Sequence, residues 1–147
     1  MKVRDVMTDR NQLQCVTTVS FLPEVAKKMK EADTGVIPVV DEQDKDKILG
    51  LITDRDITIR AVAEGIDLAK AKVQDFMSKN LDCVTSDLDT TQAAKEMASR
   101  QIKRLCVVDN GKLVGMLALG DLAEFASEQG EKALEGISHG AKFEQKK

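Results

Sequence analysis

A chain of 147 residues that is 42% hydrophobic and 32% charged can bury a core, as one domain or as two small ones sharing apolar surface, and its composition excludes a disordered polymer. Its net charge of −3 comes from 22 basic and 25 acidic side chains that are interleaved rather than blocked, so it lacks the positive field that draws in a phosphate backbone, and nucleic acid is not an expected partner. Three cysteines without Cys-x-x-Cys spacing, a single histidine and no Trp or Tyr leave too few ligands for a conventional zinc site, no Cys/His catalytic pair and little to stack on bases.

Near Met1, the charges of Lys2, Arg4, Asp5, Asp9 and Arg10 interrupt any apolar run, and no stretch is long enough to span a bilayer, so a cytoplasmic protein without a membrane partner is expected. Gln14 to Val19, β-branched at Val16, Thr17, Thr18 and Val19, reads as a strand ending at Ser20, a candidate helix N-cap. Leu22, Val25, Ala26, Met29 and Ala32 recur at helical spacing and predict a stripe packed on the core, with Pro23 in the first turn, where its missing N–H costs little. Val36 to Val40 is an apolar strand whose Pro38 predicts an edge position, because proline cannot donate to a ladder. A polar turn, Asp41 to Asp46, leads to a second strand from Ile48 to Thr53. Ile57, Ile59 to Val62 and Ala63 then suit a helix with Gly65 at its C′ position. The order is β-α-β-β-α.

The same order returns. Val3-Arg4-Asp5-Val6-Met7-Thr8 is echoed by Val73-Gln74-Asp75-Phe76-Met77-Ser78, Cys15-Val16-Thr17 by Cys83-Val84-Thr85, Ala26-Lys27 with Met29 by Ala94-Lys95 with Met97, and Val39-Val40-Asp41 by Val107-Val108-Asp109. In the second copy the strand connection is Asp109-Asn110-Gly111-Lys112, and Asn-Gly between two apolar runs is a strong hairpin signal. A period longer than that of solenoid repeats marks a duplicated small domain whose halves pack together. The division expected is 1–65 and 73–127 for the two repeats, 66–72 for the linker, and 128–147 for a polar tail, broken by Gly130, Gly136 and Gly140 and expected to fray. Cys15 and Cys83 fall at equivalent strand positions, which invites a redox-switch reading, yet small buried thiols are common in cores and the core reading is preferred.

Chemistry concentrates where the second strand hands over to the following helix, since free backbone N–H groups there can hold an anion. In Gly50-Leu51-Ile52-Thr53-Asp54-Arg55-Asp56, the hydroxyl of Thr53 and the carboxylate of Asp56 stand three residues apart, spaced to serve ribose hydroxyls or to close a capping box. The second copy, Gly115-Met116-Leu117-Ala118-Leu119-Gly120-Asp121, keeps the acid but has alanine at the cap, which favours a ligand role for the acid.

With its paired Val-x-Asp-x-Met openings, Pro-Val-Val-Asp at Pro38 to Asp41 and Gly-x-x-Thr-x-x-Asp at Gly50 to Asp56, the chain from Met1 to about Ser127 resembles a tandem cystathionine-β-synthase (CBS) domain pair, or Bateman module. The phrase from Ile52 through Gly65 is similar to small stand-alone bacterial members. The resemblance implies an α+β fold of two β-α-β-β-α repeats in a pseudo-twofold pair, with two clefts for AMP, ADP, ATP or S-adenosylmethionine. It implies a first cleft of Thr53 and Asp56 on the ribose, Leu81 and Asp82 near the adenine, and Ile102, Lys103 and Arg104, the basic pair facing phosphates. Arg55 and Arg60 are candidate phosphate helpers or solvated helix residues. The second cleft would join Ala118 and Asp121 to Leu13, Gln14, Thr34 and Gly35; it departs from the family pattern in lacking the hydroxyl at Ala118 and in having Thr34-Gly35 in place of the basic pair, so phosphate should bind poorly there.

The expected function is therefore a cytosolic regulatory module that senses an adenine nucleotide or adenosyl ligand, requires no cofactor, forms a homodimer as the family habitually does, and acts on an unidentified protein target. The alternative is a structural dimerisation module with vestigial clefts. An enzyme is the least supported class, because no nucleophile has a neighbouring base and the lone histidine, His139, lies in the tail.

Overall fold

β-branched runs and two helical stripes build seven strands and five α-helices, joined by short 3-10 and π segments, in the computed structural model, which describes residues 1–125; the polar tail, 128–147, with His139, lies outside the described residues. In chain order they are α1 (Val3–Val6), β1 (Thr8–Asp9), β2 (Val16–Thr17), α2 (Leu22–Ala32), β3 (Val36–Val40), β4 (Ile48–Thr53), α3 (Asp54–Asp56), β5 (Cys83–Val84), α4 (Thr90–Arg100), β6 (Arg104–Asp109), β7 (Lys112–Ala118) and α5 (Leu119–Phe125). The described residues divide into two compact units, Leu13–Leu81 in one, and Met1–Gln12 with 82–125 in the other. Each unit carries one β-α-β-β-α repeat, an α+β fold as expected.

In the Leu13–Leu81 unit the sheet runs β2-β3-β4, with β2 parallel and β4 antiparallel to β3. Leu22, Val25 and Met29 of α2 are buried against Val16, Ile37, Val39 and Ile52. The stripe is narrower than its periodicity implies, because Ala26 and Ala32 are exposed. Ser20 is not the N-cap of α2: that position is Phe21, without a side-chain bond, while Ser20 Oγ accepts from Thr17 N at 3.1 Å and closes a turn that shortens the expected strand to Val16–Thr17.

Pro38 stands in the central strand, not at an edge. Its partner Leu51 exchanges both backbone hydrogen bonds with Ser78, at 2.9 and 2.8 Å, so Pro38 and Leu51 form a non-hydrogen-bonded pair and the proline nitrogen faces the side of β2. There β2 pairs only with Val39 and Val40, so no ladder bond is lost. In the second repeat the corresponding bond exists, from Cys106 N to Asp82 O at 2.8 Å. The helix expected after Thr53 begins as α3 and continues as a π-helix over Ile57–Val62, with Ala63 N bonding Thr58 O at 2.9 Å. Gly65 follows at φ 69°, the C′ glycine expected.

In the other unit the sheet order is β1-β7-β6-β5, with β5 parallel and β7 antiparallel to β6. Asn110 and Gly111 both take positive φ, 51° and 78°, and turn the hairpin as expected. Ala93, Ala94 and Met97 of α4 are buried with Val3, Val6, Leu105, Val107, Leu117 and Leu122. The openings of the repeats have equivalent partners: Thr8 pairs with Met116 inside this unit, and Ser78 bridges Leu51 inside the other. Glycine is required beside each. A Cβ on Gly50 would stand 2.4 Å from Ser78 O, and one on Gly115 2.5 Å from Thr8 O.

Candidate functional site

Thr53 ends β4 in extended conformation, and the chain turns helical at Asp54. Thr53 Oγ1 accepts from Asp56 N at 3.0 Å and Asp56 Oδ2 accepts from Thr53 N at 3.0 Å, a closed capping box. The other carboxylate oxygen, Oδ1, lies 3.8 Å from Arg60 Nε. Arg60 also donates through Nη1 to Phe76 O at 3.1 Å, so this exposed helix residue, considered from sequence as a phosphate helper or a solvated residue, ties the helix to the following segment. Arg55 remains exposed and, with Asp54, Thr58 and Ile59, lines a shallow depression of about 310 Å³.

In the other unit Asp121 Oδ2 accepts from Ala118 N at 2.8 Å. This corrects the inference drawn from the second copy. The acid persists without the hydroxyl because it still satisfies the backbone N–H that opens the helix, so its retention does not by itself point to a ligand. Desolvation by burial, aided by the nearby Glu124 carboxylate, raises the pKa of Asp121 above the ordinary aspartate value, against the bond from Ala118.

Lys103 and Arg104 are exposed, and among the described residues neither side chain has a hydrogen-bond or ion-pair partner. Backbone bonding fixes their counterparts. Lys103 O accepts from Leu119 N at 2.9 Å as Gly35 O accepts from Asp54 N at 2.9 Å, and Arg104 pairs with Ala118 as Val36 pairs with Thr53. The basic pair therefore corresponds to Gly35 and Val36, one residue later than the Thr34-Gly35 equivalence read from sequence, with Thr34 opposite Ile102. Sequence reading also missed Asp54: a Cβ on Gly35 would lie 2.8 Å from its Oδ2, so a carboxylate sits beside the counterpart of Lys103. The bare Gly35 was the available signal.

Thr53, Asp56 and Leu81 belong to one unit, and Asp82, Ile102, Lys103 and Arg104 to the other. Leu81 is half-buried, Ile102 packs on the core of its unit, and the Asp82 carboxylate accepts from Arg100 Nη1 at 3.0 Å. Of the second set, Leu13, Gln14, Thr34 and Gly35 share a unit, while Ala118 and Asp121 lie in the other. Leu13 is half-buried, Gln14 is exposed, and Thr34 Oγ1 accepts from Val36 N at 3.3 Å. Among the described residues no group of three or more His, Cys, Asp or Glu is placed to hold a metal ion, and no helix is long and apolar enough to cross a membrane.

Comparison with known proteins gives a consistent answer. The CBS domain family matches residues 3–62 and again 73–128. The uncharacterized protein YlbB of Bacillus subtilis is 38% identical over 141 residues, 95% of this chain and 93% of the relative. The CBS domain-containing protein YhcV of the same organism is 38% identical over 139 residues, 93% of this chain and 95% of the relative. Among solved structures, Hypoxic Response Protein I with two coordinated zinc ions superposes at a TM-score of 0.74 with 27% identity, covering 85% of this chain and 98% of that one. CBSX2 in complex with AMP superposes at a TM-score of 0.73 with 24% identity, covering 86% of this chain and 96% of that one, a likeness of fold.

Proposed function

The chain belongs to the CBS domain family, and we propose that it is a regulatory CBS pair whose ligand is a phosphorylated adenine nucleotide, AMP or a close relative. The observation that carries this reading is the state of Lys103 and Arg104: two adjacent cations, exposed and without side-chain partners among the described residues. Arginine offers a planar fork for phosphate oxygens and lysine adds a point charge. Thr53 and Asp56 supply the ribose contacts in this reading, Leu81 and Asp82 lie near the adenine, and Ile102 joins the basic pair in the set. That CBSX2 was solved with AMP supports the choice of nucleotide. The setting is cytoplasmic, no cofactor is required, and a protein target receives the signal.

The test is a melting curve of the full chain with AMP, ADP, ATP, S-adenosylmethionine and adenosine. A ligand that binds only the folded state stabilises it by about 2.7 kcal/mol at a hundredfold excess over Kd. AMP should raise the midpoint by several degrees and adenosine by less. No shift with any of the five would overturn the reading.

One feature supports a structural role beside ligand sensing. Ile59, Val62 and Ile66 are 45%, 55% and 41% exposed on and just after the π-helical segment, an apolar surface fit for a second copy of the chain. A homodimer is accordingly part of the proposal.

A further inference from the structure

Two of the three cysteines meet across neighbouring strands. Cys83 on the edge strand β5 is the parallel register partner of Cys106 on β6, and the Cys106 S–H donates to the Cys83 sulfur. Neighbouring strands lie roughly 4.8 Å apart and register partners share a face of the sheet, a separation inside the range of about 4.4–6.8 Å that a disulfide spans. Cys83 is exposed and Cys106 buried, so one sulfur meets solvent while the other waits behind it. Cys15 has no such neighbour in register: it precedes β2, and the position matching Cys106 in its repeat is Pro38.

We propose that Cys83 and Cys106 are a reversible redox site, closing to an intramolecular disulfide by exchange with a low-molecular-weight disulfide. The Cys83 thiolate attacks one sulfur of the small disulfide, whose S–S bond breaks; the departing thiolate takes a proton and leaves a mixed disulfide on Cys83. Cys106 then gives its proton to solvent and attacks the Cys83 sulfur, displacing the second small thiol. In balance, two protein thiols are oxidised and one small disulfide is reduced to two thiols.

The order of attack follows from the surroundings. Burial and the Asp82 carboxylate raise the Cys83 thiol, but the Cys106 S–H and Arg100 favour its thiolate. Burial first, and then the neighbouring Cys83, push Cys106 up to about 12. Cys83 therefore ionises first, and its capture as a mixed disulfide removes the neighbouring negative charge, the second cause after burial that keeps Cys106 protonated. Because both thiols sit above their ordinary range, closure should accelerate as pH rises toward 9 and beyond. The site stands independently of the nucleotide reading.

The experiment exposes the reduced full chain to oxidised glutathione at pH 7, 8 and 9 and follows intact mass and peptide linkage. Wild type and Cys15→Ser should pass through a transient adduct to a product lighter by two hydrogens, with Cys83 linked to Cys106, and dithiothreitol should reverse it. Cys106→Ser should retain its adduct on Cys83 at about tenfold higher occupancy than wild type, because the resolving thiol is gone. Cys83→Ser, a change at an exposed position that leaves the core intact, should abolish closure, which keeps the test decisive if Cys106→Ser does not fold. A wild-type chain that stops at the mixed disulfide, a Cys83 that takes no adduct, or a linkage that includes Cys15 would each overturn the proposal.

Discussion

Thr90 opens α4 fully buried, and its hydroxyl has no hydrogen-bond partner among the described residues. An unpaired buried hydroxyl carries a desolvation cost that an isosteric methyl does not. Thr90→Val should therefore leave stability unchanged or raise it by about 1 kcal/mol, read as the urea midpoint of the full chain. A loss of similar size would show that the hydroxyl is satisfied. Asp121 gives a prediction in pH. Its pKa is raised in the folded state by burial, so the folded chain holds that proton more tightly than the unfolded one. Its stabilising contribution is complete below the ordinary aspartate pKa and is lost as pH rises through the higher folded value. Asp121→Asn keeps an acceptor for Ala118 N and removes the ionisation; it should raise the melting midpoint at pH 7 and lose that advantage at pH 3. Equal shifts at both values would disconnect the effect from titration.

At the scale of elements, much was legible and the exceptions have local causes. The strands, both long helices and the Asn110-Gly111 hairpin follow from periodicity and turn chemistry. Pro38 was misplaced because sequence shows the missing donor but not which way the nitrogen faces, and that direction depends on the bond pair between Leu51 and Ser78. Ser20 was misread because a hydroxyl can serve the turn behind it as well as the helix ahead. The apolar residues after Asp56 signalled a helix, yet the π-turn leaves Ile59 and Val62 exposed while Ala61 is fully buried. If these exposed side chains face a second copy, Val62→Glu places a charge in that interface and should convert the dimer to monomer in sedimentation, with the melting curve of the separated chain still cooperative. A wild-type monomer at micromolar concentration would sink the dimer.

For the molecule as a whole, the duplication was legible because four segments recur in register, but the partner of each opening was not. Repeat spacing does not record that Val3–Val6 is buried with Leu105 and Leu117, or Val73 and Phe76 with Ile37 and Ile52. The sequence offers the candidate site only as residue types, and the structure shows why types alone mislead: Asp56 and Asp121 both cap helices, so the difference between the repeats lies in their other residues. Lys103 and Arg104 correspond to Gly35 and Val36, and Asp54 adds a negative charge beside Gly35. Electrostatics alone should then favour phosphate at one ligand position per chain. Calorimetry with AMP is expected to give about one strong site, since charge-assisted bonds contribute roughly 1.5–3 kcal/mol each. Asp56→Ala should weaken binding at least about tenfold, or 1.4 kcal/mol, while Asp121→Ala has little effect on AMP. Because Asp56→Ala also opens a capping box, its melting midpoint without ligand must be subtracted before the loss is assigned to the ribose. Arg104→Ala carries no such ambiguity, its side chain being exposed and unpartnered among the described residues, and it should weaken AMP but not adenosine. Binding abolished by Asp121→Ala and untouched by Asp56→Ala and Arg104→Ala would place the working site on the other set of residues.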